Sequence, residues 1–330
     1  MILGIETSCD ETAAAIVKDG TKILSSAVAS SVELHQKTGG IIPEIAAREQ
    51  SKWMIPVIKG ALREARVKNQ KIEAIAVTHG PGLIGSLLVG VETAKALAYA
   101  WKKPIIPINH LQAHLYANWF EKKIPQFPAI GLVVSGGHTD LVLIKNHGKI
   151  KWLGGTRDDA AGECFDKTAR VLGLGYPGGP AISAVAEKLK AKPKARIKLP
   201  RPMINDANYD FSFSGLKTAV INFVRKKKKV DVSALAYEIQ EAITDVLVAK
   251  TIRAAREHQV KSLLLAGGVA ANSRLKEKMN EQVQAQDSQL FIPSPKLCTD
   301  NATSIAACAY FNPQTVPWEK VRVDPGLRIC

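Results

Sequence analysis

Short apolar runs alternate along this chain with longer segments in which apolar residues recur every three or four positions. The first pattern is typical of buried strands and the second of amphipathic helices. The first third of the chain has strands predicted at 2–6, 13–17, 23–29 and 73–78 and helices predicted at about 44–66 and 83–101. Strands and helices mixed in this order predict an α/β fold.

The middle of the chain repeats the opening pattern. A hairpin predicted at 129–145 has the same strand–turn–strand order as 2–17, which predicts a duplicated architecture with a ligand between two lobes. The segment 176–214 is rich in Pro, Gly and Lys and is predicted to be mainly loop around one helix. Further helices are predicted from about Leu111 to Phe120 and at about 232–257, 273–284 and 300–310.

These elements divide the chain into two lobes of ordinary domain size. We expect a first α/β lobe over 1–106, completed by a helix drawn from about 300–325. The second lobe is expected over 107–299.

Three polar turns follow apolar runs that resemble buried strands. They are I-E-T-S-C-D-E-T at 5–12, V-V-S-G-G-H-T at 133–139 and L-A-G-G-V-A-A-N at 265–272. Glycine allows close backbone approach and positive φ, so such turns can present N–H groups and hydroxyls to phosphate. Three of them in one chain predict a bound nucleotide.

Charge adds a second class of partner. The 330-residue chain has a formal net charge of +15, and its apolar fraction of 46% predicts a full core rather than disorder. Two stretches contain cations and no acid: Lys188, Lys190, Lys192, Lys194, Arg196, Lys198 and Arg201, then Arg225, Lys226, Lys227, Lys228 and Lys229. They are either solvated loops and helix ends or contacts to the phosphates of a polyanion. Neither stretch contains aromatic residues, so base stacking there is not predicted.

The composition argues against a membrane protein and against a disulfide framework. The longest apolar stretch, 74–101, is interrupted by Pro81, Glu92 and Lys95. The opening M-I-L-G-I-E lacks the basic and apolar regions of a signal peptide. Five cysteines are scattered without a C-x-x-C pair, so a cytoplasmic protein is expected.

His110 and His114 are the strongest candidates for metal ligands. Residues four apart share one face of a helix, so both imidazoles could bind one ion, although this spacing also arises by chance. The residues between them are Leu, Gln and Ala, so the Glu of the H-E-x-x-H metallopeptidase motif is missing. Peptide hydrolysis is therefore not predicted.

Nine motifs occur in an order that resembles the bacterial TsaD family and span nearly the whole chain. Besides the three turns and H-L-Q-A-H, they are T-H-G-P-G-L-I-G at 78–85, G-E-C-F-D-K at 162–167, Y-P-G-G-P at 176–180, D-F-S-F-S-G-L-K at 210–217 and C-T-D-N at 298–301. The resemblance implies a two-lobed actin-like ATPase and sugar-kinase (ASKHA) superfold with a ligand cleft between the lobes. It also implies transfer of threonylcarbamoyl from L-threonylcarbamoyl-AMP to N6 of adenosine 37 in tRNAs that read ANN codons.

The same resemblance implies roles for individual residues. His110, His114 and Asp300 would bind one divalent metal, iron(II) or alternatively zinc; on pattern alone, Asp300 would be a helix N-cap. Asp10 and Glu11 would lie in the catalytic zone, although exposed acids in a turn are usually solvated. The residues implied to bind substrate are Val133, Val134, Ser135, Gly136, Gly137, Asp166, Gly179 and Asn272, the last of which is also a good N-cap.

Two positions depart from the family pattern. Gln50 stands where many relatives have His, and Ser183 stands where many relatives have an acid. A histidine role at the first position is therefore in doubt.

The implied partners are the tRNA anticodon loop, the TsaB paralogue and the TsaE ATPase. Two other functions fit parts of the pattern. An ATP-dependent phosphotransferase of the same superfold suits the turns but not the His pair, and a non-catalytic nucleic-acid-binding module suits only the charge.

Overall fold

The computed structural model describes residues 1–38, 40–189, 197–227, 229–284 and 287–330. Within it the chain forms two compact units: Met1–Ile124 with Pro293–Cys330, and Pro125–Ile292. The observed second unit is therefore shorter at both ends than the expected lobe over 107–299. The segment that contains the His pair belongs to the first unit. No described helix combines the length and apolar character needed to cross a membrane.

The first unit is built on a five-stranded mixed sheet. Its spatial order is β3–β2–β1–β4–β5, with β1 Ile2–Glu6, β2 Glu11–Lys18, β3 Lys22–Ser30, β4 Ala74–Gly80 and β5 Ile105–Asn109. β1 pairs antiparallel with β2 and parallel with β4, and β4 pairs parallel with β5. The carboxyl ends of β1, β4 and β5 therefore meet at one edge of the sheet, where sites in α/β folds form.

Helices cover both faces of this sheet, so β1 is buried along its whole length. The helices of the unit are α1 Val32–Thr38, α2 Pro43–Glu64, α3 Ile84–Trp101, α4 His110–Tyr116, α10 Pro295–Cys298 and α11 Ala302–Phe311. α2 and α3 pack their apolar residues against the core strands. α11 returns from the end of the chain so closely that a Cβ on Gly4 would lie 2.2 Å from the Ala302 carbonyl oxygen. This approach brings the residues just before α11 to the edge where β1 and β5 end.

The second unit repeats the strand arrangement of the first. Its sheet has the order β10–β9–β6–β7–β8, with β6 Ala129–Val134, β7 Thr139–Asn146, β8 Lys149–Gly155, β9 Ser262–Ala266 and β10 Gln289–Phe291. In both sheets an antiparallel three-strand meander is extended by two parallel strands on the side of its first strand. The predicted repeat of 2–17 by the later hairpin is therefore confirmed, and so is the α/β class.

The helices of the second unit are α5 Ala161–Val171, α6 Gly178–Ala186, α7 Ser214–Lys226, α8 Val232–Glu257 and α9 Ser273–Val283. The hydrophobic pattern did not predict α7. Its first N–H groups are satisfied by a residue far away in sequence: the Asp158 carboxylate accepts from Phe213 N at 2.8 Å and from Ser214 N at 3.1 Å. Asp158 thus stabilises the start of α7 as an N-cap residue would.

Candidate functional site

Two imidazoles and one carboxylate converge at the edge of the first sheet. His110 Nε2 lies 3.0 Å from His114 Nε2, and Asp300 Oδ1 lies 3.6 Å and 3.3 Å from these two atoms. Both histidines are buried, and Asp300 is partly buried. The three ligand atoms lie within 4.8 Å of one another, close enough for one ion to contact all three. Two imidazole nitrogens and a carboxylate oxygen suit iron(II) or zinc and leave coordination positions open.

Local capping explains why these side chains face one another. The Asn109 side chain accepts from Leu111 N and Gln112 N, so α4 begins at His110, directly after β5. The Asn301 side chain accepts from Thr303 N and Ser304 N and thereby caps α11. The N-cap expected at Asp300 is therefore wrong by one residue. Asp300 lies just outside the helix, and its carboxylate faces the histidines.

Glu6 orients the first histidine. Its Oε2 accepts from His110 Nδ1 at 2.9 Å and from Thr78 Oγ1 at 2.7 Å, while its Oε1 accepts from Ser8 N at 2.5 Å. Because a carboxylate only accepts, Nδ1 of His110 carries the proton and Nε2 is left to face His114 and Asp300. This is the arrangement of a carboxylate that orients a metal-binding imidazole.

The electrostatics of this pair favour its charged form when no ion is bound. Burial alone lowers the pKa of His110, but the charges of Glu6 and Asp300 outweigh it and raise that pKa to about 9. Burial likewise raises the pKa of Glu6, yet the His110 charge and the hydrogen bonds lower it overall. Glu6 lies within the first polar turn but is not one of the predicted site residues. Its only local signal is an acid at the end of a completely buried strand.

The turn that carries Asp10 and Glu11 is anchored to the protein through its carbonyl groups. Gln50, fully buried on α2, donates to Cys9 O at 2.9 Å and to Glu11 O at 3.1 Å. Ser31 Oγ donates to Asp10 O at 2.8 Å. Gln50 therefore stabilises the conformation of this turn. The position at which many relatives have a histidine thus has a structural role in this chain.

Both acids of the turn have raised pKa values. Burial, followed by the charge of Asp300, raises the pKa of Asp10. Burial also raises the pKa of Glu11 to about 7, with smaller contributions from Asp10 and Asp300, against a hydrogen bond from Ser30. Glu11 Oε2 is buried and accepts no hydrogen bond from any residue that the structure describes. A carboxyl group whose ionised form is disfavoured, close to a candidate metal site, is typical of functional positions.

Glu11→Gln is expected to raise the melting temperature at pH 8 while lowering activity. The pKa of Glu11 is higher in the folded protein than the ordinary value of 4.5, so the native state binds more protons. The free energy of unfolding of the wild type therefore falls as the pH rises from about 4.5 to about 7. The Gln side chain of the variant does not ionise, so this loss of stability does not occur in the variant. Melting curves from pH 4 to pH 8 measure it. At pH 4 wild type and variant should melt together, and the exposed Glu64→Gln is the control. An equal shift at both pH values would contradict the assignment.

In the second unit, the β6–β7 turn presents the first group of predicted substrate residues. Val133 and Val134 end β6, and Ser135 N donates to His138 O at 2.9 Å to close the turn. A Cβ on Gly136 or Gly137 would meet no atom of the described residues within 4 Å, so both face open space in this part of the structure.

Neighbouring turns approach this hairpin closely. A Cβ on Gly162, at the start of α5, would lie 2.4 Å from the Ser135 carbonyl oxygen. A Cβ on Gly267 would lie equally close to Val134 O, and the φ of Gly267 is 87°. Both the short distance and the positive φ exclude a side chain at this position. The second and third polar turns of the sequence are therefore in contact.

Asp166 and Gly179 lie close to each other at the start of α6. Asp166 Oδ1 accepts from Gly178 N at 2.7 Å, and Gly179 next to it faces open space. Burial raises the pKa of Asp166, and the hydrogen bond from the Gly178 N–H offsets only part of this increase.

Asn272 is an N-cap, as predicted, and its side chain is engaged at both ends. Its Oδ1 accepts from Leu275 N at 2.9 Å, and its Nδ2 donates to Ser183 Oγ at 2.9 Å and to Gln240 Oε1 at 3.0 Å. Gln240 was not singled out in the sequence, because a glutamine in a long amphipathic helix carries no signal of its own.

The basic stretches differ in how far their charges are already neutralised. Lys190, Lys192, Lys194, Arg196 and Lys228 lie outside the described residues. Arg201 pairs with Glu238 and Asp245, so its charge is used within the protein. In contrast, the exposed cations at the end of α7 have no carboxylate within ion-pair distance in the described part of the chain: Arg225, Lys226, Lys227 and Lys229.

Comparison with known proteins identifies the family. Residues 22–307 match the family model described as "TsaD: tRNA N6-adenosine threonylcarbamoyltransferase". Proteins of that name are similar over nearly the full length. The Dehalococcoides mccartyi protein is 53% identical over 310 residues, which cover 94% of this chain and 93% of the relative. The Bacillus cereus protein is 48% identical over 341 residues, which cover 100% and 96%.

Solved structures with low sequence identity share the fold. HypF of T. kodakarensis aligns with a TM-score of 0.63 at 13% identity, covering 94% of this chain and 47% of that one. Component A of the (R)-2-hydroxyglutaryl-CoA dehydratase of Acidaminococcus fermentans aligns with a TM-score of 0.56 at 15% identity, covering 94% and 98%. These likenesses place the two units in the actin-like ATPase and sugar-kinase superfold. The family model and the curated relatives establish that this chain belongs to the TsaD family of tRNA N6-adenosine threonylcarbamoyltransferases.

Proposed function

We propose that this protein transfers the threonylcarbamoyl group of L-threonylcarbamoyl-AMP to N6 of adenosine 37 in tRNAs that read ANN codons. The full-length match to enzymes named for this transfer carries the proposal. In the reaction, N6 forms a bond to the carbamoyl carbon and loses a proton, and the bond from that carbon to the phosphate oxygen breaks. The products are t6A and AMP. An adenine in an unpaired RNA loop exposes N6 for such an attack.

The residues of the second unit have the chemistry to bind the adenylate. Gly136 and Gly137 face open space, so a phosphate can approach the backbone amides of this turn closely. Such amides stabilise the charge that grows on the phosphate as AMP leaves. The carboxylate of Asp166 suits the hydroxyl pair of a ribose.

His110, His114 and Asp300 are the residues that would hold a divalent metal, and we favour iron(II) over zinc. Such an ion, when bound, supplies Lewis-acid polarisation of the carbamoyl-phosphate oxygens. Glu6 keeps the proton of His110 on Nδ1 and so frees Nε2 as a ligand. Asp10 and Glu11, on the anchored turn of the same unit, are proposed to act in the catalytic zone, with no general base assigned.

The exposed cations at the end of α7, which have no carboxylate partner among the described residues, are our candidates for contacts to tRNA phosphates. Phosphate contacts of this kind position an RNA and make its binding sensitive to salt. We further propose that the protein acts in the cytoplasm together with the TsaB paralogue and the TsaE ATPase.

Mass spectrometry of tRNA nucleosides tests the function. The protein is incubated with threonylcarbamoyl-AMP and unmodified tRNA that carries A37, with and without TsaB and TsaE. Formation of t6A is expected, with AMP released in equal amount. The same tRNA with guanosine at position 37 is the control and should remain unmodified. If folded, metal-loaded protein forms no t6A in any mixture, the proposal is wrong; magnesium-dependent phosphorylation of a small acceptor would favour the phosphotransferase instead.

A further inference from the structure

The short helix that carries the two histidines is bound at its start by a segment from far along the chain. Gln112, which lies between the histidines on α4, donates from Nε2 to Ile329 O at 2.7 Å. Asn109, directly before α4, donates from Nδ2 to Arg328 O, also at 2.7 Å. Two side-chain amides at the start of α4 therefore bind two successive backbone carbonyl groups, which lie 217 and 219 residues later in the sequence.

The segment that supplies these carbonyl groups, residues 322–329, is itself fixed to the edge of the first sheet. Asp324 N donates to His79 O at 2.8 Å, near the end of β4. The side chain of Ile329 is buried, with only 2% of its surface exposed. The 322–329 segment is thus bound to the end of β4 at one point and to the start of α4 at another.

The orientation of α4 depends on contacts of this kind because the helix has only seven residues. A helix of that length has little stability of its own in water, so its neighbours determine where its side chains lie. At its end, Tyr116 O–H accepts from Asn312 Nδ2 at 2.8 Å. At its start, the two amides connect it to the 322–329 segment. The direction of both imidazoles therefore depends on contacts at the two ends of α4.

We propose that Asn109 and Gln112 are positioning residues, which hold α4 against the 322–329 segment so that both histidines face the third metal ligand. The inference rests on the metal site of the proposed function, but it concerns the affinity of that site for an ion rather than the transfer. The three ligand atoms lie within 4.8 Å of one another. Metal–ligand distances tolerate deviations of only about 0.2 Å, so a small displacement of α4 weakens binding.

Co(II) binding to the metal-free protein, measured by chelator competition, tests this role. Gln112→Met removes the donor to Ile329 O, whereas Asn109→Ser removes the donor to Arg328 O but keeps an oxygen that can cap α4. Each variant should raise the Kd for Co(II) about 3- to 5-fold, the change expected when one ordinary hydrogen bond is lost. Gln314→Met, at an exposed position of the same unit, is the matched control and should leave the Kd unchanged.

A double-mutant cycle separates this role from a general loss of stability. Ile329→Ala removes the buried side chain that anchors the accepting segment, so it should itself raise the Kd for Co(II). If Gln112 acts through that segment, Gln112→Met should raise the Kd less in the Ile329→Ala background than in the wild type. Wild-type affinity in both amide variants would overturn the inference, and so would full additivity of Gln112→Met and Ile329→Ala.

Two further measurements distinguish this inference from the proposed function. The visible absorption of bound Co(II) depends on its coordination geometry, so it should change in both amide variants and stay as in wild type in the Gln314→Met control. A wild-type protein that binds Co(II) but forms no t6A when loaded with iron(II) would refute the proposed transfer and leave the positioning role intact. A wild-type protein that binds no Co(II) would overturn the positioning role together with the metal site.

Discussion

Replacing His110 by alanine is expected to remove the bound metal and t6A formation together. The imidazole supplies one of three ligand atoms that lie within 4.8 Å of one another, and no other described histidine, cysteine or acid completes such a group. Lewis-acid stabilisation by a bound ion is worth several kcal/mol, so activity should fall by about 10³-fold or more. Metal content by mass spectrometry after gel filtration, and t6A yield from the same sample, measure both effects.

The control for this variant is His147→Ala, in the hairpin of the second unit, whose ring packs on Phe127. It should keep both metal and activity. Because His110 is buried against Glu6, the melting temperature of the alanine variant must be recorded as well. A folded His110→Ala protein that has lost its metal yet retains wild-type activity would show that the ion has no part in the transfer.

Most residues of the candidate site could be proposed from the sequence because they occupy strand ends and turns that local patterns mark. The His pair follows the apolar run of β5, and both polar turns of the second unit follow buried strands. These signals are local, since they depend on side-chain periodicity and on glycine at positions where the chain must turn.

What the sequence missed depends on contacts between distant segments. α4 belongs to the first unit because α11 returns from the end of the chain and packs on β1, where Gly4 leaves room for it. α7 has no side-chain cap of its own, and its cap, Asp158, lies 56 residues before Ser214. The role of Glu6 requires His110, 104 residues later. No window of adjacent residues contains these pairs.

Glu6→Gln is expected to lower metal affinity by about 10- to 100-fold while the fold is preserved, as is found when the partner of a metal-binding histidine is lost. The change replaces one oxygen by an amide of nearly the same shape. Ser8 N requires an acceptor at Oε1, so the new NH₂ group must occupy the Oε2 position, which faces Thr78 and His110. There it donates to His110 Nδ1 and forces the imidazole proton onto Nε2. That nitrogen is the proposed ligand atom, so the variant favours the wrong tautomer.

This tautomer argument is separable from a general loss of structure. Thr78→Val removes a different hydrogen bond to the same carboxylate but leaves the acceptor for Nδ1, so its metal affinity should change much less. Chelator competition measures affinity in all three proteins, and t6A yield is followed as metal is added. Because protonation competes with metal at Nε2, excess metal should restore much of the activity of Glu6→Gln. Unchanged affinity in this variant would mean that Glu6 stabilises the buried histidine without controlling which nitrogen is free.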